Sequence, residues 1–201
     1  GGTVEEEPMP TSVLLMVRGS IRPDSIFLEP AFTLPRVEES PPEAQARSGG
    51  DHRLRGFDRQ GSVLFERGFG GTPVADLPGT GQEQYQVTVP LSSEGAGRLV
   101  RLEVETADGR VAHRSASGLA EELELALSRE EVATARRLEG GRVEVVWDAS
   151  LFPMVMVLER PGGQVLGFGQ DGSLIVSTEL SSLEVALSNG VRSSFRTVSV
   201  R

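Results

Sequence analysis

The stretch Val143–Arg201, VEVVWDASLFPMVMVLERPGGQVLGFGQDGSLIVSTELSSLEVALSNGVRSSFRTVSVR, decides the fold. It divides into short blocks (VEVVWDA, FPMVMVLE, QVLGFG, SLIVST, LEVALS) broken at Pro161-Gly162-Gly163, Asp171-Gly172 and Asn189-Gly190. Alternating apolar and polar residues put every second side chain on one face of a sheet, and Asp-Gly or Asn-Gly supplies the positive φ of a tight hairpin turn. Short strands at this spacing predict an antiparallel all-β sandwich.

The same rhythm runs more loosely through the first half. Ser12–Ile21 and Ile26–Leu34 are strand-length and joined by Arg22-Pro23-Asp24-Ser25. His52–Phe57 and Ser62–Phe69 form a hairpin across Asp58–Gly61, Tyr85–Val89 is a strand, and Arg98–Thr106 pairs with Arg110–Ser115 across Ala107-Asp108-Gly109. That makes about seven strands per half, the number of a small sandwich. Residues 1–10 read as a flexible leader, and 35–50 and 70–82 as long loops rich in Pro, Gly and Glu. The boundary falls at Ser115–Gly118, giving one module over 11–117 and a second over 119–201. Beyond this boundary, Leu123, Leu125 and Leu127 alternate with Glu and Ala and predict a strand at Glu122–Leu127. Ser128 with Glu131 is a capping-box pattern that predicts a short helix near 129–137, leading into Val132 and Ala135. One continuous helix over Leu119–Arg137 is the alternative.

The segment VEVVWDASLFPMVMVLERPGG resembles the second and third strands of fibronectin type III and related immunoglobulin-like modules. In those modules a core Trp followed by a polar residue closes one strand, and the next strand runs outward to a Gly turn. Trp147-Asp148 and Val155–Glu159 hold those places. The resemblance implies two consecutive immunoglobulin-like antiparallel β-sandwich modules. More broadly, the chain is similar to the paired sandwich modules that follow catalytic domains in large exported bacterial proteins, peptidases and glycosidases among them. That likeness implies a non-catalytic accessory, spacer or docking region, extracellular or in the cell envelope. Its partner would be another domain of the same polypeptide or a separate protein.

Composition narrows the chemistry. Cysteine is absent, which removes disulfides, thiol nucleophiles and thiolate metal sites. Net charge is −9 and every one of the 20 basic residues is arginine, scattered along the chain. Nucleic-acid binders concentrate positive charge on one face, so nucleic acid is not expected as a partner. No apolar run approaches the roughly 18 residues that read as a membrane span. Gly1-Gly2-Thr3 reads as a cleaved start, with a signal or further domains expected upstream.

No G-x-S-x-G elbow, H-E-x-x-H, P-loop, dinucleotide fingerprint or EF-hand loop occurs, so neither a catalytic residue nor a cofactor is assigned. The two histidines, His52 and His113, could hold zinc with a carboxylate if their strands were neighbours, which would make a metal-assisted hydrolase. Arg53 and Arg114 beside them oppose a cation. The Asp-Gly and Asn-Gly tips could be suspected of calcium binding, but each brings a single acid where calcium takes several oxygens, and turn chemistry accounts for them. A carbohydrate-binding module, the main alternative function, would display Trp or Tyr to stack on sugar rings. Trp147 and Tyr85 are instead in phase with neighbouring valines and predicted buried. For protein contact the candidates are the acidic loop Val37–Glu43 and the Gly- and Pro-rich loop bearing Phe69, Val74 and Leu77.

Overall fold

Four antiparallel sheets account for most of the computed structural model, which describes residues 12–35, 50–74, 79–118, 120–159 and 163–201. The leader 1–10, the loop Val37–Glu43 and Leu77 lie outside the described residues. The first half carries β1 (Ser12–Ile21), β2 (Ile26–Leu28), β3 (Phe32–Pro35), β4 (His52–Phe57), β5 (Val63–Phe69), β6 (Thr72–Pro73) and β7 (Glu83–Ser92). A short helix α1 (Ser93–Arg98), β8 (Arg101–Glu105) and β9 (Val111–Ser115) complete it. The second half has helix α2 (Ala120–Leu127), then β10 (Ala133–Arg137), β11 (Arg142–Trp147), β12 (Met154–Glu159), β13 (Val165–Gly169), β14 (Ser173–Ser177), β15 (Ser182–Ser188) and β16 (Ser193–Ser199).

Sheet A has the order β2-β1-β7-β6, with β3 also on β1, and sheet B the order β5-β4-β8-β9. Alternation decides which face is dry. Leu15, Val17 and Ile21 of β1 and Tyr85, Val87 and Val89 of β7 point one way and meet Leu54, Leu102 and Val104 of sheet B. Sheet C (β10-β11-β14) faces sheet D (β13-β12-β15-β16), with Val143, Val145 and Trp147 against Val155, Val157, Leu183, Val185 and Leu187. The fold is all-β and sandwich-like.

The two halves are not beads on a string. Along β12 the residues alternate between two dry environments: Val155 and Val157 face sheet C, while Met154 and Met156 face the first half. There they meet Phe32 of β3, fully buried, with Met16 and Leu34 beside it. Phe32 stands edge-on to Phe168 with ring centroids 5.8 Å apart. The β15–β16 hairpin reinforces the joint. Its Val191 is buried in the first core, and the Gly190 carbonyl accepts from Ala31 N–H at 2.9 Å. Ser188 Oγ donates to the Ala31 carbonyl at 2.6 Å, and Thr33 N–H donates to Ser193 Oγ at 2.8 Å. Arg192 Nη1 donates to the carbonyls of Ala96 and Gly97 in α1.

Between the halves the expected elements are exchanged. Residues 122–127, expected as a strand, belong to helix α2, and 133–137, expected in a helix, form strand β10. Leu123 and Ala126, three apart, turn inward with Leu127 beside them, whereas Leu125 is 62% exposed, which strand alternation would forbid. Glu121 and Glu122 occupy the first turn, where the helix dipole favours acids. Ser128 ends this helix rather than starting another: its N–H donates to Glu124 O and its Oγ to Leu125 O. The alanines 133 and 135 then face the core from β10, paired with Trp147 and Val145. Ile26–Leu34 is likewise two strands, broken at Glu29-Pro30-Ala31 where the chain leaves β2 for the joint.

Candidate functional site

The outer face of sheet A is half interface and half open. Outward residues of β1 are Leu14, Met16, Arg18 and Ser20, and the change from apolar to polar marks where contact with the second sandwich ends. Leu14 and Met16 lie opposite Leu34 and Phe32 of β3. Arg18 and Ser20 lie opposite Gln86 and Gln84 of β7, and this polar half floors an open groove of about 800 Å³. Register aligns its side chains in rows across the strands. Phe27, Ser20, Gln84 and Thr72 form one row over β2, β1, β7 and β6. In the next, Glu29 pairs with Arg18 at 3.2 Å, and Gln86 follows.

Phe27 is 53% exposed on this floor, and its backbone is pinned from beneath. Tyr85 Oη donates to the Phe27 carbonyl at 3.0 Å, passing through space left by Gly19, whose Cβ would lie 2.0 Å from that oxygen. Burial pushes the Tyr85 phenol well above its ordinary pKa, so it stays a neutral donor. At the groove's end the Arg18 guanidinium lies 4.0 Å over the Phe168 ring. Its Nε is buried without a hydrogen-bond partner, as is Nε of Arg101, which lies 4.4 Å over Phe57. Both are stacked against rings, where cation–π attraction offsets part of that loss.

The residues singled out from sequence fall elsewhere. Phe69 is only 4% exposed, packed between His52 and Tyr85, so it cannot serve as a contact residue. The alternation of β5 carries it inward, toward the first core. Val74 is half-buried, its N–H donating to Gln82 O. The two histidines lie on opposite faces of sheet B and cannot share a metal. His52 is in phase with buried Leu54, on the inner face, while His113 is in register with Glu103 on the outer face. Ala107 N–H donates to His52 Nδ1 at 3.0 Å, which leaves Nε2 to donate to Glu83 Oε2 at 3.1 Å.

The acids are engaged in turns and strand rows. Asp58 is held below the ordinary carboxyl range by the Ser62 N–H above all, then by Arg98 and the Gln60 N–H. Asp148 is lowered by the Ser150 hydroxyl and N–H, and Asp108 by Thr106 and Arg110. With Thr106 and Arg110 on its two oxygens, Asp108 caps its turn. On the outer face of sheet B, Glu66, Arg55, Glu103 and His113 form one row across four strands. Arg55 Nε is 2.7 Å from Glu66 and its Nη1 3.3 Å from Glu103. Screened by solvent, pairs of this kind suit a wet sheet face and add little to stability.

Trp147 and Tyr85 are both buried, as their phase predicts, and Trp147 Nε1–H donates to the Phe152 carbonyl at 2.8 Å. Sequence reading missed Phe27 and the glutamines. Their signal was the polar outward phase of GSI and EQYQ, but only the pairing of β1 with β7 joins them into one floor. Among the described residues no helix is long and apolar enough to cross a membrane. No protein-family model matches the chain, and no curated protein matches it in sequence.

Proposed function

We propose that the chain is a non-catalytic accessory region, a spacer or docking platform of two immunoglobulin-like sandwiches within a larger exported bacterial protein. The observation that carries this reading is the core shared by the halves. Phe32, Met154, Met156 and Ala186 are buried together, and Val191 of the second half completes the core of the first. A joint of that kind resists hinge motion and holds the open face of sheet A at a set distance from whatever adjoins the chain. Strand order supports the immunoglobulin-like part of the reading. In the usual lettering β10 to β16 run A, B, C, C′, E, F and G, with A-B-E on one sheet and C′-C-F-G on the other.

Incubation of the purified chain with peptide, ester and polysaccharide substrates tests the proposal. No turnover is expected. Turnover abolished by replacing a single Asp, Glu or His would refute it. The complete reading frame of the gene is expected to encode a further domain beside this one.

A further inference from the structure

We propose that the groove on the outer face of sheet A binds a neutral oligosaccharide, with Phe27 as the stacking surface and Gln84, Gln86 and Ser20 as partners for sugar hydroxyls. The inference rests on the accessory reading above, since the groove holds its ligand without turning it over. A pyranose presents two kinds of surface, a flat patch of C–H groups and a rim of hydroxyls that both donate and accept. The floor of the groove presents the complements of both. Phe27 offers an exposed ring, and each glutamine amide carries a donor and an acceptor on one planar group.

The geometry is set in advance of binding. Gln84 and Ser20 sit directly opposite one another, Phe27 and Thr72 extend that row on either side, and the backbones of the central strands β1 and β7 are already paired on both sides in the ladder. Recognition therefore falls to side chains, unlike the edge pairing that an extended peptide would use. Charge separates the ligand classes. Arg18 is matched by Glu29 at 3.2 Å, and Arg22 is the one further charged residue of the lining; a single net positive charge is a weak field for a polyanion on a chain that as a whole is at −9. A greasy ligand would find mostly amides, hydroxyls and an ion pair. At about 800 Å³ the groove is within the range of small-ligand sites, and its lining reaches from Phe27 on β2 to Thr72 on β6 across the sheet.

The test is binding of the full chain to an array of neutral gluco-, xylo-, manno- and galacto-oligosaccharides, with heparin and polygalacturonate as acidic controls, followed by titration calorimetry on the hits. At least one neutral glycan is expected to bind, and Phe27→Ala and Gln84→Ala should each weaken it about tenfold, near 1.4 kcal/mol. Val63→Ala, an exposed apolar position on sheet B, should leave affinity unchanged. Unaltered circular dichroism in the variants separates lost contact from lost fold. The inference is overturned by binding to no neutral glycan, by binding to acidic glycans alone, or by affinity that both groove variants leave intact. Cleavage of a bound glycan would instead overturn the accessory reading while leaving the groove assignment standing.

Discussion

Replacing Phe32 by alanine tests whether the two sandwiches share one core. Phe32 belongs to the first half but is fully buried against Met154, Met156 and Ala186 of the second. Removing a buried phenyl ring costs about 3–5 kcal/mol, of which the edge-to-face contact with Phe168 accounts for about 0.5–1.5. With a urea m-value of about 2 kcal/mol/M, a loss near 4 kcal/mol lowers the unfolding midpoint by about 2 M. The reporter is built in. Trp147, the only tryptophan, lies in the second core, so its fluorescence follows the half that Phe32 does not belong to. In the unaltered chain the fluorescence and far-ultraviolet dichroism transitions should coincide. In Phe32→Ala the Trp147 midpoint should fall with the dichroism. A fluorescence midpoint that stays in place while dichroism shifts would refute the shared core. Phe27→Ala, which removes an exposed ring of the same size, should change stability by no more than about 0.5 kcal/mol, a midpoint shift within about 0.25 M.

Gly190→Ala should lower stability by about 1–3 kcal/mol in thermal melting, because Gly190 has φ near +108° and a Cβ there would lie 2.9 Å from the Ser115 carbonyl. Arg192→Met keeps the aliphatic stem but strips the donors from the Ala96 and Gly97 carbonyls, and should cost about 1–3 kcal/mol in denaturant titration. Acid sensitivity follows from Asp58, Asp108 and Asp148, whose folded pKa values lie below their ordinary one. Their stabilisation is complete above about pH 4 and is lost as pH falls through the lower folded values. The melting temperature should therefore drop most steeply below about pH 4, and Asp58→Asn should flatten that slope; identical acid profiles for both proteins would contradict the assignment.

Local chemistry made much of this legible. The hairpins β4–β5 and β8–β9 lie where Asp58–Gly61 and Ala107-Asp108-Gly109 put turns, and Trp147 is buried as its phase with Val143 and Val145 requires. Residues 122–137 were misread because Leu123 and Leu127 satisfy helical and strand spacing alike. Leu125 and Ala126 distinguish them, and their burial needs the tertiary environment to be read. Phe69 looked like a loop residue because the Gly-rich segment begins beside it, yet the period of β5 already turned it inward. The shared core left a trace in the unbroken apolar run MVMVL, since a strand dry on both faces loses its alternation. What covered the second face could not be read, because Phe32 is far away in sequence. The groove was hidden for the same reason: its floor joins β1 to β7 across some of the longest separations in the first half.

The position of Val191 has a consequence for the order in which the protein can be made. The first core lacks one of its buried members until the ribosome reaches the last hairpin, and the bond from Ser188 to Ala31 closes over a separation of 157 residues. Contacts so distant in sequence are slow to form, and an N-terminal half that emerges early must wait with Leu34, Met16 and Phe32 uncovered. Nascent chains stalled before Val191 should thus remain protease-sensitive in their first hundred or so residues, although those residues form two complete sheets in the finished protein.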